Sequence, residues 1–233
     1  YLIFWFFNMA FTLYGAPLSP FVRKVMYLLN LSNTKYKLKV VVPGSVPDDF
    51  VNISPFKRIP VLQQDDWFQA DSSIICHYLI ESLGHEALTS LIPSTAKLRA
   101  QMRWLEKFAD YELAPRLTFT VFRHRIILPV SGKTADEELI GRALEHDIPP
   151  LLDYLTSQLG TQDYFVGHCC SLADIAITSQ MINFMHAGEA INHKKWPTLA
   201  AYFKRMLSQS MWHTLVEREK MTLDKIRPTH LVP

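Results

Sequence analysis

Residues 11–31 read FTLYGAPLSPFVRKVMYLLNL. A short β-type run, Phe11 to Tyr14, ends in the loop Gly15-Ala16-Pro17-Leu18, and Ser19-Pro20 then opens a stretch predicted as helix from Phe21 to Leu31. Serine ahead of proline is a strong helix start, because the hydroxyl caps free N–H groups and proline suits the first helical position. Downstream, Tyr36 to Val42 is β-rich and is stopped by Pro43-Gly44. Pro60–Gln63 and Trp67–Gln69 read as two short strands with Asp65-Asp66 as the turn between them. A helix is predicted from Ser72 to Leu83, with Gly84 as its stop signal. The order is βαβ followed by ββα.

Beyond Gly84 the period changes. His85 to Pro93 shows no repeat and reads as a linker, after which every element reads as helix. Leu98, Met102, Leu105 and Ala109 form one apolar stripe, and Trp104, Phe108 and Tyr111 a second on a neighbouring face. Such a helix packs against two things: the core of its own domain, and either more core, a cleft or a partner subunit. Leu144, Ile148, Leu151, Leu155 and Leu159 continue the helical pattern, with Pro149-Pro150 expected to break or kink it. From Leu172 to Met185 the only charge is Asp174, the pattern of a helix buried at a domain centre. Shorter helices are predicted over Pro197–Leu207 and around Trp212–Glu219. The expected organisation is an extension over 1–8, an α/β domain over 9–84, a linker over 85–93, an all-helical domain over 94–225 and a tail over 226–233.

Composition narrows the function classes. The 233 residues carry a formal charge of +2, with 48% apolar and 20% charged residues, as an ordinary globular protein does. No long basic run supplies the footprint of a nucleic-acid binder, and His193-Lys194-Lys195 reads as a solvated helix approach. The three cysteines, Cys76, Cys169 and Cys170, form neither a disulfide framework nor a zinc motif, which favours a reducing, cytoplasmic setting. The apolar run Tyr1–Asn8 is far shorter than the about 20 residues a membrane span needs and lacks the flanks of a signal peptide. It is read as lying outside the fold, with an apolar arm against a neighbouring subunit as the alternative.

Three local signals carry chemistry, each with a plain structural alternative. Ser19 begins a helix whose unpaired N–H groups and positive dipole end attract an anion, or it is simply a cap. Pro60 opens a strand in Arg58-Ile59-Pro60-Val61-Leu62. A cis bond there would turn the Ile59 main chain outward to pair with a peptide, while an ordinary trans proline would not. Asp71-Ser72 opens the next helix, where a hydroxyl and N–H groups suit a carboxylate and the Asp71 charge suits an ammonium; capping alone is the other reading.

Together the runs YGAPLSPFVRKV (14–25), NISPFKRIPVL (52–62) and ADSSIICHYL (70–79) resemble the glutathione-binding domain of the cytosolic glutathione transferases, most nearly the serine-type phi and tau classes. GHCCSLADI (167–175) resembles the signature of that family's helical domain, and is a capping box of Ser171 and Asp174. The resemblance, from Phe11 to Glu219, implies a thioredoxin-like N-terminal domain and an all-α C-terminal domain. It implies that Ser19 donates to the glutathione sulfur. The Ile59 main chain, ahead of a cis Pro60, would pair with the cysteinyl unit. Asp71 and Ser72 would hold the γ-glutamyl group, with Asp71 shorter than the usual glutamate. Phe21 and Arg58 are counted with the glutathione residues, and Lys24 with the framework. Tyr14 is a rival to Ser19, since other classes use a tyrosine near this strand end. Tyr111, Arg116, Phe119 and Trp212 are candidates for a second-substrate pocket, each with core packing as its alternative. Cys76 reads as a small buried hydrophobe.

The chemistry is large enough without a metal or a tightly bound cofactor. Lowering a thiol pKa from ~8.5 by about two units requires about 2.7 kcal/mol of preference for the thiolate. A hydrogen bond to a charged acceptor contributes about 1.5–3 kcal/mol, and a helix N-terminus about 0.3–1 kcal/mol. The implied function is conjugation of glutathione, as co-substrate, to a hydrophobic electrophile, in a homodimer that binds neither nucleic acid nor membrane. A non-catalytic binding or regulatory module of the same fold, and a glutathione-dependent isomerase or dehalogenase, are the competing readings.

Overall fold

A computed structural model describes residues 11–42 and 46–226. The expectations for residues 1–8, for Pro43-Gly44 and for the tail after Ile226 lie outside the described residues. The chain forms two compact units that divide between Gly84 and His85. Among the described residues no helix is long and apolar enough to cross a membrane.

The first unit runs β1 (Phe11–Tyr14), α1 (Pro20–Leu31), β2 (Tyr36–Lys39), a 3-10 turn (Asp48–Asn52), β3 (Val61–Gln64), β4 (Trp67–Ala70) and α2 (Ser72–Leu83). The four strands form one sheet in the order β2-β1-β3-β4, with β1 parallel to β2 and antiparallel to β3, and β3 antiparallel to β4. This is the thioredoxin-like layout. Tyr14, Phe68, Ala70 and Ile59 pack on buried Val41, Phe50 and Val61. Side chains alternate along a strand, so Leu13 and Leu62, register partners, face the opposite side. Both are completely buried, as are Val22, Val25, Leu28 and Leu29 of α1 and Ile75 and Leu79 of α2.

Two local features explain how the sheet edge is shaped. The strand predicted to reach Val42 stops at Lys39, because its partner β1 stops at Tyr14. The next pairings run instead through Gly15, whose N–H donates to Lys39 O (3.0 Å) and whose carbonyl accepts from Val41 N (3.3 Å). Gly15 is dictated by crowding: a Cβ there would lie 2.4 Å from Val22 Cγ2. Asp65 takes φ +51° to close the β3–β4 turn, and Gly84 closes α2 in the left-handed region, as its position after the last apolar residue predicts.

The second unit is helical, with α3 (Glu86–Thr89), α4 (Ala96–Phe108), α5 (Leu128–Val130), α6 (Glu137–Arg142), α7 (Ile148–Leu159), α8 (Leu172–His186), α9 (Pro197–Ser208) and α10 (Ser210–Ile226). The supposed linker therefore contains a helix, α3, too short for any apolar period and started by a His85 cap on Ala87 N. Between α4 and α5, Ala109–Ile127 is π-helical around Pro115, with Leu128 N donating five residues back to Arg123 O. The expected break near Pro149-Pro150 is a change of pitch, since Ala143–Asp147 is π-helical and the prolines fill the first turn of α7. The last helix is longer than predicted and spans Ser210–Ile226.

Helix α8 is buried on nearly every face, against α4, α9 and the π-helical stretch, where Thr118 Oγ1 donates to Gln180 Oε1 (2.7 Å). Asp174 anchors it. Its Oδ2 accepts from Ser171 N (2.9 Å) and Ser171 Oγ (2.8 Å), and its Oδ1 from Phe165 N (3.0 Å) and Tyr202 OH (3.1 Å). Burial pushes the Asp174 carboxyl above the usual carboxylate range, against the opposing pull of those four donors.

Candidate functional site

The sheet register gathers the candidate residues of the first unit. Tyr14 pairs with Val61, and Val61 with Ala70. The end of β1, the start of β3 and the end of β4 thus stand side by side, at the usual strand spacing of about 4.8 Å. Three segments continue from that row: the turn to Ser19, the approach through Arg58, Ile59 and Pro60, and Asp71-Ser72.

Ser19 is the N-cap of α1, half-buried, with φ −75° and ψ 125°. Its Oγ accepts from Val22 N at 3.4 Å, a long bond that uses a lone pair and leaves the hydroxyl proton for another acceptor. Phe21 follows in the first turn, half-buried. The rival Tyr14 is engaged elsewhere: its hydroxyl donates to Gln63 Oε1 (2.7 Å), its ring meets Phe50 and Phe68, and Lys39 Nζ lies 4.9 Å from the ring centroid.

The second segment is pinned by buried Ser54, whose Oγ donates to Arg58 O (2.8 Å) and accepts from Arg58 N (3.0 Å). The Arg58 side chain is exposed, 5.9 Å over the Phe56 ring. The Ile59–Pro60 peptide bond is cis. Ile59 packs its side chain on the Val41–Phe50–Val61 cluster, and Pro60 is buried. Among the described residues no hydrogen bond occupies the Ile59 main chain.

In the third segment Asp71 is the N-cap of α2 and holds φ +76°, ψ 120°, a region L-residues rarely adopt. A non-glycine residue kept there is a recurrent mark of functional sites. Its Oδ1 accepts from Ser73 N (2.9 Å) and Ile74 N (3.2 Å), so one oxygen caps the helix while the other has further acceptor capacity. Ser72 occupies the first helical position and is buried. A link the sequence reading did not draw lies behind the site: buried Lys24 donates from Nζ to Ser73 Oγ (3.2 Å) and ties α1 to α2. The signal was a lysine in the middle of an apolar helix face.

The candidates on the helical unit separate. Tyr111 is 65% and Phe119 51% exposed, and Arg116 pairs with Glu112 at 3.8 Å. Trp212 is fully buried in the core of that unit, its core-packing alternative. The second aromatic stripe divides as well: Phe108 is buried against Tyr154 (4.7 Å between centroids), whereas Trp104 is exposed and donates to Tyr154 OH (2.6 Å). Cys76 is completely buried.

Known proteins agree with this layout. Residues 13–86 match the family model of the glutathione S-transferase N-terminal domain, and residues 122–211 that of the C-terminal domain. Glutathione S-transferase F13 of Arabidopsis thaliana is 26% identical over 208 residues, covering 86% of this chain and 92% of that protein. Elongation factor 1-gamma of Danio rerio is 26% identical over 174 residues, covering 74% of this chain but 36% of that protein. The apo structure of human glutathione S-transferase T1-1 superposes with a TM-score of 0.80 at 21% identity, covering 93% of this chain and 90% of that one. Two domain models in family order, over a thioredoxin-like unit and a helical unit, lead to one conclusion: the chain belongs to the glutathione S-transferase family.

Proposed function

We propose that the protein is a glutathione transferase that joins the glutathione thiolate to hydrophobic electrophiles. The observation that carries this reading is the row of three segments at one end of the sheet, each offering a different group. The Ser72 hydroxyl and the N-terminal N–H groups of α2 suit the γ-glutamyl carboxylate, and Asp71 its ammonium. The Ile59 main chain pairs with the cysteinyl unit as another strand would. Arg58, exposed beside it, suits the terminal carboxylate. Ser19 donates its hydroxyl proton to the sulfur, with the first turn of α1 adding its dipole. The thiol proton leaves to solvent, the sulfur forms a bond to the electrophilic carbon, and the leaving group departs with its electron pair.

On the helical unit, exposed Tyr111 and Phe119 and half-buried Arg116 are the side chains proposed to meet the electrophile. A homodimer is part of the proposal, supported by the apolar side chains the chain leaves uncovered, Phe56 at 82% and Trp104 at 60% exposure. So is a cytoplasmic location, which suits three free cysteines.

A second reading is a non-catalytic module of the same fold, considered because elongation factor 1-gamma is among the proteins this chain resembles. An isomerase or dehalogenase would share the thiolate site and differ in the pocket. Calorimetric titration of glutathione into the wild type and Ser19→Ala, with conjugation of an aromatic halide followed alongside, separates the first two. Transferase function requires that both bind and only the wild type turns over well. No glutathione binding by the wild type would leave the module reading.

A further inference from the structure

Cys169 and Cys170 are adjacent, lie in the irregular stretch just ahead of α8, and have no part in the chemistry above. Cys169 is exposed and Cys170 half-buried. Gly167 and His168 form a turn, whereas among the described residues the Cys170 backbone makes no hydrogen bond, and the Cys170 sulfhydryl reaches the Ser171 carbonyl at 3.9 Å. The flanks, by contrast, are fixed: Phe165 N and Ser171 N both donate to the buried Asp174 carboxylate. Two neighbouring thiols therefore occupy a short irregular span between two anchored ends.

We propose that Cys169 and Cys170 form a reversible dithiol–disulfide pair that low-molecular-weight disulfides, glutathione disulfide foremost, oxidise. Neighbouring Cα atoms are about 3.8 Å apart across a trans peptide, short of the roughly 4.4–6.8 Å a relaxed disulfide spans. The bond between them is strained, so it is readily reduced again and persists only where oxidant is in excess. The Cys169–Cys170 peptide belongs to no helix or strand, so its adjustment breaks no regular hydrogen-bond pattern. The outer thiol acts first: the Cys169 thiolate attacks one sulfur of glutathione disulfide, forms a mixed disulfide and releases one glutathione thiolate. Cys170 then gives up its proton to solvent and attacks the Cys169 sulfur, releasing the second glutathione. Two protein thiols are oxidised by two electrons, and one glutathione disulfide becomes two glutathiones. Burial, with the Asp174 charge beside it, pushes the Cys170 thiol well up, which makes the second step the slow one. Closing the ring draws the Cys170 sulfur outward, beside the Ser171 cap of α8.

The test is peptide mass mapping of the full chain after exposure to glutathione disulfide. In the wild type, the peptide holding both cysteines is expected to lose two hydrogens and to regain them with dithiothreitol. Cys170→Ser should stop at one glutathionyl group on Cys169. Cys169→Ser should leave Cys170 as unmodified as the fully buried Cys76. A wild type that keeps the glutathionyl group on Cys169 as the Cys170→Ser variant does, or that reacts at neither residue, overturns the proposal. The wild-type result decides on its own if a variant fails to fold.

Discussion

Ser19 and Asp71 are both helix caps, and the second role proposed for each gives it a test. At Ser19 the cap bond is long, 3.4 Å, so Ser19→Ala should cost little stability while removing the hydroxyl proton from the thiolate. Loss of about 1.5–3 kcal/mol of thiolate stabilisation predicts conjugation slowed by about 10- to 150-fold, read as kcat/KM, and a thiol pKa of bound glutathione displaced upward in the ultraviolet thiolate absorbance. At Asp71, asparagine keeps the cap and tolerates the positive φ but deletes the charge. Asp71→Asn should unfold within about 0.5 kcal/mol of the wild type, yet bind glutathione about tenfold or more weakly in calorimetry. Equal affinity would remove Asp71 from the ammonium site. Tyr14, whose hydroxyl is committed to Gln63, should by the same logic yield a far smaller kinetic effect as Tyr14→Phe.

At the scale of elements, the tightest spot is where β1 hands over to α1. Gly15→Ala would drive a Cβ into Val22 Cγ2 at the end of the central strand. It should cost about 1–3 kcal/mol in urea unfolding, and Val22→Ala should recover part of that loss if the clash is its cause. Helix α8 offers a test against pH. The folded Asp174 carboxyl sits above its unfolded value of about 3.8, so between the two the folded state binds more protons. Its contribution therefore falls as pH rises through that window. The stability gap between wild type and Asp174→Asn should be wider in acid than at neutral pH, and a gap that narrows toward acid would contradict this assignment.

Much of this level is legible in the sequence because its signals are local. Ser19-Pro20, Gly84 and the Ser171–Asp174 box each place a helix end through contacts within a few residues. What escapes is what distance decides. Lys39 ends β2 because β1 ends, a fact about another segment. α3 is shorter than one apolar period. The cis state of Ile59–Pro60 is invisible in the dipeptide, and only the combination of motifs suggests it. The 65% exposure of Tyr111 and the complete burial of Trp212 depend on helices far apart in sequence, so aromatic spacing alone could not sort them.

At the scale of the whole molecule, the chain leaves large apolar side chains uncovered on both units. Phe56 and Ile74 on the first and Trp104 on the second lie over half exposed. A 26.9 kDa chain that covers them by self-association should sediment as a dimer. Phe56→Ser should move that equilibrium toward monomer without altering far-ultraviolet circular dichroism, since Phe56 supports no buried core. A wild type that sediments as a monomer at tens of micromolar would exclude the homodimer.

The row Tyr14–Val61–Ala70 has a further consequence for how such a chain diversifies. The spacing between the three candidate segments is metered by the β ladder and not by the length of the connections that leave and re-enter it. Residues can be added to or deleted from the excursion between Val41 and Phe50, provided those two keep their places in the buried cluster, while the gauge at this end of the sheet stays the same. A one-residue slip of β3, by contrast, would turn Val61 to the other face and destroy the gauge at once. Insertions should therefore accumulate in that excursion among descendants of this chain, and register should be the one quantity they all inherit.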